Sequence, residues 1–184
     1  MASSPLVVFS THLGEIVVEL DHARAPKTAA HFEALIADGW LDDGGFYRTV
    51  HKSNTPGQLP TIDVIQGGLG FELANTMPSV EHEPTNVTGL RHVTGTISLA
   101  RGADTLATGE FFICLGDFPV LDASTLEGPG AIGFAAFGRV IAGLDVAKVI
   151  HKRPAEAPTP PGWDILKNQF ISEPVPLRPS LRAG

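Results

Sequence analysis

Residues 6–20, LVVFSTHLGEIVVEL, predict two strands, at 6–9 and 15–20, that are joined by a turn ending in glycine. In the second strand, Ile16 and Val18 share one face with the leucine that follows, while glutamates occupy the other face. An apolar–polar alternation with a period of two indicates a strand that is buried on one side and hydrated on the other. The chain therefore begins with a half-buried pair of strands.

The β pattern returns along the rest of the chain, and helices are few. Six further strands are predicted at 45–50, 62–66, 96–101, 110–115, 134–141 and 165–171. One helix is predicted from Pro26, which suits the first helical position, to a stop at Gly39, and a second short helix near 146–150. Strands that do not alternate with helices disfavour a parallel sheet, and a closed sheet leaves no exposed edge. The expected fold is mainly β: a closed eight-stranded antiparallel β-barrel capped by two α-helices.

Length and composition indicate one globular domain. The chain has 184 residues, of which 43% are hydrophobic and 18% are charged, as in ordinary folded domains. We expect one domain over residues 1–172 and a proline-rich tail over 173–184 that runs extended on the surface. Four long loops, a feature that is often functional, are predicted at 51–61, 68–95, 102–109 and 122–133.

Charge and cysteine content limit the partners and the compartment. The net charge of −7 at pH 7 disfavours nucleic acid, whose binding needs a basic patch. A single cysteine, Cys114, excludes an internal disulfide and fits a reducing compartment. No signal-peptide pattern is apparent, and no run approaches the roughly 18 apolar residues of a membrane helix. We expect a cytoplasmic monomer without a membrane segment, and because the histidines lack metal-site spacing, no metal or cofactor.

Four short segments carry polar or aromatic residues within β patterns: GFYRTV at 45–50, VIQGG at 64–68, GTISLA at 95–100 and GEFFI at 109–113. Taken alone, each segment is compatible with an ordinary strand. Arg48 has the alternative role of a cross-strand ion-pair partner, and Gln66 that of satisfying loop backbone groups. The segments therefore have to be interpreted together.

As a set and in this order, the segments resemble the cyclophilin family of peptidyl-prolyl cis-trans isomerases. The predicted helix APKTAAHF at 25–32 and the stretch from FAAFGRV to GLDV at 134–146 are also similar to that family. The similarity spans about residues 5–172. It implies an eight-stranded barrel with two capping helices, an active site in a groove on its outer face, and rotation of X–Pro peptide bonds in proteins as an aid to folding. The implied partners are proline-containing polypeptides.

The resemblance also implies site residues. Arg48 matches the family's catalytic arginine, and Gln66 the glutamine beside it. Among the implied substrate-binding residues, Phe112 and Leu121 match walls of the proline pocket, and Ala100 and Arg101 match the pair that receives the substrate backbone. Four further positions depart from the family pattern: Val64, Glu110, Phe134 and Asp63. Arg101 itself replaces the family's asparagine, and Asp63 replaces a pocket phenylalanine if the alignment has no gap.

No covalent bond is made or broken in this reaction, so the catalyst only has to stabilise the twisted amide. An arginine suits this task. Resonance opposes rotation about the peptide C–N bond with a barrier of about 18–20 kcal/mol. In the twisted amide the prolyl nitrogen gains a lone pair, and a fixed guanidinium can donate a hydrogen bond to it. The guanidinium bonds poorly to the nitrogen of the planar ground state, so it stabilises the transition state selectively. A ~10⁵-fold acceleration needs about 7 kcal/mol, so clamping of the proline ring and backbone hydrogen bonds must contribute beside the arginine.

Two alternatives remain open from the sequence. The altered pocket, especially Asp63 and Phe134, also fits a non-catalytic module that binds proline-containing segments. A barrel that holds a small apolar ligand inside is the second alternative, although about eight strands predict an interior filled by side chains. Because a desolvated unpaired carboxylate is costly, we expect the Asp63 side chain to point to solvent or to pair with an arginine.

Overall fold

The computed structural model describes residues 5–102, 106–124 and 130–184, which form one antiparallel sheet and three helices. The strands are β1 Leu6–Thr11, β2 Gly14–Leu20, β3 Gly45–Val50, β4 Val64–Gly68, β5 Val80–Glu81, β6 Thr96–Arg101, β7 Leu106–Cys114, β8 Ala135–Ala142, β9 Phe170–Pro176 and β10 Arg178–Arg182. The helices are α1 Pro26–Ala37, α2 Thr85–Thr88 and α3 Leu144–His151. Parts of two predicted loops, residues 103–105 and 125–129, lie outside the described residues.

The sheet closes into a barrel. Its strands follow the order β10-β1-β2-β8-β6-β7-β4-β3-β9, with β5 paired to β7 outside this path. The two ends of the path, β9 and β10, are separated along the chain by Leu177 alone. Counted as one bent strand, they pair with β3 on one side and with β1 on the other. The path then has eight members and joins itself, which confirms the predicted eight-stranded antiparallel barrel.

The C-terminal segment differs from the predicted surface tail. Its residues close the barrel, and Val175 and Leu177 are buried at 0% and 1% exposure. Three prolines lie in this segment and made it resemble a tail, although Val175 and Leu177 alternate as in a strand. Proline is tolerated in a strand where it need not donate a ladder hydrogen bond. The last strand also begins later than expected, because residues 164–166 form a 3₁₀ turn and β9 begins at Phe170.

Aromatic rings fill the inside of the barrel. Phe9 stacks on Phe111 with ring centroids 4.9 Å apart, and Phe46 meets both rings edge to face. Helix α1 adds Phe32, whose ring lies 5.4 Å from that of Phe111. Offset and edge-to-face contacts add to the large apolar area that these rings bury. The interior is thus a packed core, as the strand number predicts.

Two helices complete the core. Helix α1 buries the predicted stripe that includes Phe32, Leu35 and Ile36, and it packs against β8 and β10. Helix α3 packs against β2, β3 and β4 and buries Ala147 and Ile150. Within the described residues, no helix is long and apolar enough to cross a bilayer.

Candidate active site

A β-bulge in β3 sets the direction of two polar side chains. The register of β3 with β4 and with β9 passes from Phe46 to Arg48 and skips Tyr47. Phe46 is fully buried in the barrel core, whereas Tyr47 and Arg48 both reach the side chain of Gln66 on the neighbouring strand. A bulge re-aims side chains in this way and is common beside active sites.

Two neutral amides hold the guanidinium of Arg48. Its Nη1 donates to Gln66 Oε1 at 2.6 Å, and its Nε and Nη2 donate to Gln169 Oε1 at 2.9 and 2.5 Å. Within the described residues no carboxylate lies at ion-pair distance from Arg48, so the alternative role as an ion-pair partner has no support. Burial lowers the pKa of Arg48 to about 10, which leaves the group cationic at neutral pH.

A hydrogen-bond chain fixes the orientation of the Gln66 amide. Gln66 Nε2 donates to the Tyr47 hydroxyl at 2.7 Å, and that hydroxyl donates to Glu110 Oε2 at 2.5 Å. Glu110 is buried, and its other oxygen accepts the backbone N–H groups of Leu69 and Gly70. Burial raises the pKa of Glu110 above its usual 4.5. Since Gln66 Nε2 is engaged with Tyr47, its oxygen faces Arg48.

The glycine pair after Gln66 makes room for this carboxylate. A Cβ atom on Gly68 would collide with the carboxyl group of Glu110, and Gly68 also has a φ of +140°. Larger residues are strained in that backbone region. Glycine at this position therefore allows Glu110 to reach Tyr47 and the backbone of the following loop.

A second apolar cluster lies outside the barrel core. This outer cluster is formed by five buried residues: Val50, Val64, Phe112, Cys114 and Leu121. Ile62, Ala100 and Phe134 pack against it and are only partly buried. The ring of Phe112 meets that of Phe134 edge to face at 5.3 Å. Phe112 and Leu121, which were predicted as pocket walls, therefore lie in one apolar surface.

A buried polar triad supports the outer cluster. His92 stacks against Phe112 at 5.8 Å, its Nδ1 lies 2.7 Å from Asp122 Oδ1, and its Nε2 lies 2.9 Å from Ser98 Oγ. Burial lowers the pKa of His92, against the opposing effect of the Asp122 carboxylate. A neutral ring satisfies both contacts when Nδ1 donates to Asp122 and Nε2 accepts from Ser98. Because Asp122 directly follows Leu121, the triad links the two predicted pocket walls.

One groove of about 790 Å³ brings most of the predicted site together. Nine of the ten predicted residues line it: Arg48, Val64, Gln66, Ala100, Arg101, Glu110, Phe112, Leu121 and Phe134. Asp63 is the exception, and its predicted place in the pocket is wrong. Its side chain is 50% exposed, and its carboxylate lies 3.6 Å from His151 Nε2. It points to solvent, as expected, but its partner is a histidine instead of an arginine, and the phenylalanine position of the family pocket is not filled by it.

Strand β6 offers backbone to the groove. Its pairing with β8 ends at Leu99, and its pairing with β7 skips Ala100. The Nε of Arg101 donates to the carbonyl of Gly133 at 2.8 Å, and its guanidinium carbon lies 5.3 Å from the ring centroid of Phe134. Ala100, Arg101 and Gly102 line the groove, so this end of β6 borders the site.

Three groups of site residues were missed by sequence reasoning. Gln169 follows Arg48 by 121 residues, and no spacing rule connects positions so far apart. Tyr47 precedes Arg48 in the chain, and neighbouring side chains of a regular strand point to opposite faces. Only the bulge brings both side chains to Gln66. Phe71 and Trp163 also line the groove, and each looked like an isolated aromatic in a loop.

Comparison with solved structures defines the fold class. A crystal structure of a Cryptosporidium parvum cyclophilin type peptidyl-prolyl cis-trans isomerase, determined in the presence of the dipeptide Ala-Pro, superposes with a TM-score of 0.69. The match covers 97% of this chain and 99% of that chain at 18% sequence identity. The chain therefore has the cyclophilin fold.

Sequence comparison then establishes the family. The model for "Cyclophilin type peptidyl-prolyl cis-trans isomerase/CLD" matches residues 6–169. Peptidyl-prolyl cis-trans isomerase cyp18 of Streptomyces antibioticus is 36% identical, with 78% of this chain and 81% of the relative covered. Peptidyl-prolyl cis-trans isomerase B of Escherichia coli K12 is 30% identical, with 92% and 98% covered. The chain belongs to the cyclophilin family and is a peptidyl-prolyl cis-trans isomerase.

Proposed function

We propose that Arg48 is the catalytic residue of this isomerase and that Gln66 orients it. The observation that carries the proposal is the guanidinium of Arg48, which two neutral amides hold at the wall of an apolar groove. Neutral partners leave the positive charge uncompensated. The charge is therefore available to the lone pair that develops on the prolyl nitrogen as the amide twists.

The outer cluster then clamps the proline ring. Phe112, Leu121 and Val64 supply an apolar surface beside the guanidinium, and the backbone at Ala100 and Arg101 receives the substrate main chain. With the ring held, rotation moves the part of the substrate that precedes the proline. Phe134 extends the same wall through its contact with Phe112.

Glu110 acts through other residues in this mechanism. Its carboxylate holds the Tyr47 hydroxyl, which in turn holds Gln66. We therefore assign it a positioning role in place of direct substrate binding. Asp63 has no role in the pocket, which removes one of the two reasons for a purely binding module.

The substrates we propose are X–Pro bonds in exposed segments of polypeptides, with assistance to protein folding as the outcome. The apolar groove, which Ala100 and Arg101 of β6 line, supports an extended peptide as the ligand. We further propose that the enzyme is a cytoplasmic monomer. It should not bind nucleic acid, and the net charge of −7 supports this part of the proposal.

A peptide isomerisation assay tests the proposal. Arg48→Ala should lower kcat/KM at least tenfold, while circular dichroism shows the fold retained and peptide binding persists. The matched control is Arg139→Ala, which removes an exposed arginine paired with Glu19 away from the groove and should stay within twofold of the unmodified chain. An unchanged rate in Arg48→Ala would contradict the mechanism, and peptide binding without acceleration by the unmodified chain would select the binding module.

A further inference from the structure

An aromatic stack stands at the wall of the groove, beyond the residues that the mechanism uses. Phe71 and Trp163 lie face to face with ring centroids 4.6 Å apart and an interplanar angle of 10°. Phe71 also meets Phe170 at 5.8 Å and Tyr47 at 5.7 Å, both edge to face. Phe71 therefore contacts three rings and offers Trp163 a fixed face on which to stack.

The aromatic stack is continuous with the catalytic groove. Phe71, Trp163 and Leu166 line the same cavity as Arg48. Leu166 donates its N–H to the carbonyl of Trp163, and Gln169 donates its N–H to the carbonyl of Leu166. The short segment that carries Trp163 therefore also carries Gln169, the residue that holds Arg48 from one side.

Large apolar side chains near the aromatic stack remain open to solvent. Trp163 is 41% exposed and Leu73 is 52% exposed. Exposed apolar groups that adjoin a groove are typical of an interaction site. Stacking on a fixed ring already restricts the tryptophan side chain. Burial of a further apolar side chain against it therefore costs little additional conformational entropy, which makes it a good anchor.

We propose that the aromatic stack is a specificity subsite that binds an aromatic or large aliphatic side chain of the substrate close to the isomerised proline. This inference rests on the proposed function, because the subsite serves a peptide whose proline lies in the outer cluster. Phe71, Trp163 and Leu166, which line the groove here, carry two rings and one aliphatic group, so an apolar side chain is the matching chemistry. A segment that has such a residue near its proline is also one that is buried after folding and exposed before it.

A peptide series tests the subsite by activity. Each peptide has an Ala-Pro core in an otherwise alanine background and one phenylalanine, placed at successive positions before and after the core. We expect one position to raise kcat/KM about fivefold over the all-alanine peptide. Trp163→Ala should abolish this gain, so that its kcat/KM values on the phenylalanine and all-alanine peptides become equal within twofold. The matched control, Ile165→Ala, changes an exposed residue outside the groove lining and should keep the gain.

Fluorescence tests the subsite without activity. The chain has two tryptophans, so Trp40→Phe leaves Trp163 as the reporter. Titration with the preferred phenylalanine peptide should shift or quench this emission, and the all-alanine peptide should do so much less. A change with protein concentration alone would assign the aromatic stack to self-association and overturn the subsite.

The outcomes separate this inference from the proposed function. An unmodified chain that accelerates the all-alanine peptide but gains nothing from phenylalanine at any position retains the function and loses the subsite. A gain that survives in Trp163→Ala also overturns the subsite. If no peptide is accelerated, the mechanism fails, and titration of the Trp163 emission with each phenylalanine peptide of the series decides whether the aromatic stack binds the side chain.

Discussion

Two neighbouring phenylalanines in β7 lie on opposite sides of the barrel wall. Phe111 is fully buried in the interior, stacked on Phe9. Phe112 is 6% exposed and belongs to the outer cluster, where it contacts His92 and Phe134. Successive side chains of a strand point to opposite faces, so adjacent residues of one type enter two different environments.

The comparison shows how this barrel separates stability from activity. The interior is filled by rings from β1, β3, β7 and α1, so no ligand has to be accommodated there. The outer cluster is smaller, borders a groove, and is completed by partly buried residues. A substitution inside the barrel should therefore change the free energy of unfolding, and one outside should change mainly substrate binding.

The largest effect is expected for Phe111→Ala. Truncation of a buried phenylalanine typically costs about 3–5 kcal/mol of unfolding free energy, and Phe111 contacts three other core rings. Phe112→Ala should cost roughly half as much, because one side of its cluster is open, and should raise KM about tenfold. Denaturant unfolding and peptide kinetics on the two variants measure this. Equal losses of stability would contradict the separation.

A slightly smaller effect is expected where the barrel closes. Leu177 joins β9 to β10 and is 1% exposed, and a buried Leu→Ala change costs about 2–5 kcal/mol. The matched control is Leu181→Ala in β10, where the side chain is 36% exposed and the loss should stay below about 1 kcal/mol. A chain that tolerates Leu177→Ala as well as the control would show that the C-terminal segment is a dispensable tail after all.

The smallest effect is expected from the triad behind Phe112. Burial lowers the pKa of His92 in the folded chain below its usual 6.5. As the pH falls, the histidine therefore binds its proton at a higher pH in the unfolded chain than in the folded chain. The free energy of unfolding should therefore fall as pH drops below 6.5, by at most about 1.4 kcal/mol per pH unit for one histidine. His92→Asn should remove this contribution and leave that of the partly buried histidines, such as His31 and His82.

The measurement is the difference in unfolding free energy between the unmodified chain and His92→Asn from pH 5 to pH 8. This difference should be constant near pH 8 and should decrease as the pH falls below 6.5. A difference that stays flat, or that increases toward acid, would show that the ring accepts a proton as readily in the folded chain as in the unfolded one.

Local patterns predicted most elements but misplaced their ends. The alternation in β2 and the Pro26 and Gly39 signals of α1 needed only neighbouring residues, and both elements formed where expected. The prolines of the last strand hid its alternation, so a closing strand was interpreted as a tail. Asp63 was placed in the pocket by alignment, whereas a contact with His151 directs it to solvent.

The sequence by itself determined the barrel class, the family and the arginine–glutamine pair, because strand alternation and contiguous motifs are local properties of the chain. Tertiary structure alone decided that Gln169 completes the hold on Arg48, that the C-terminal strand closes the sheet, and that Phe71 meets Trp163. These contacts join residues far apart in the chain, and their geometry depends on strand register and on one bulge. Such features are set by packing of the whole barrel, which no short stretch of sequence specifies.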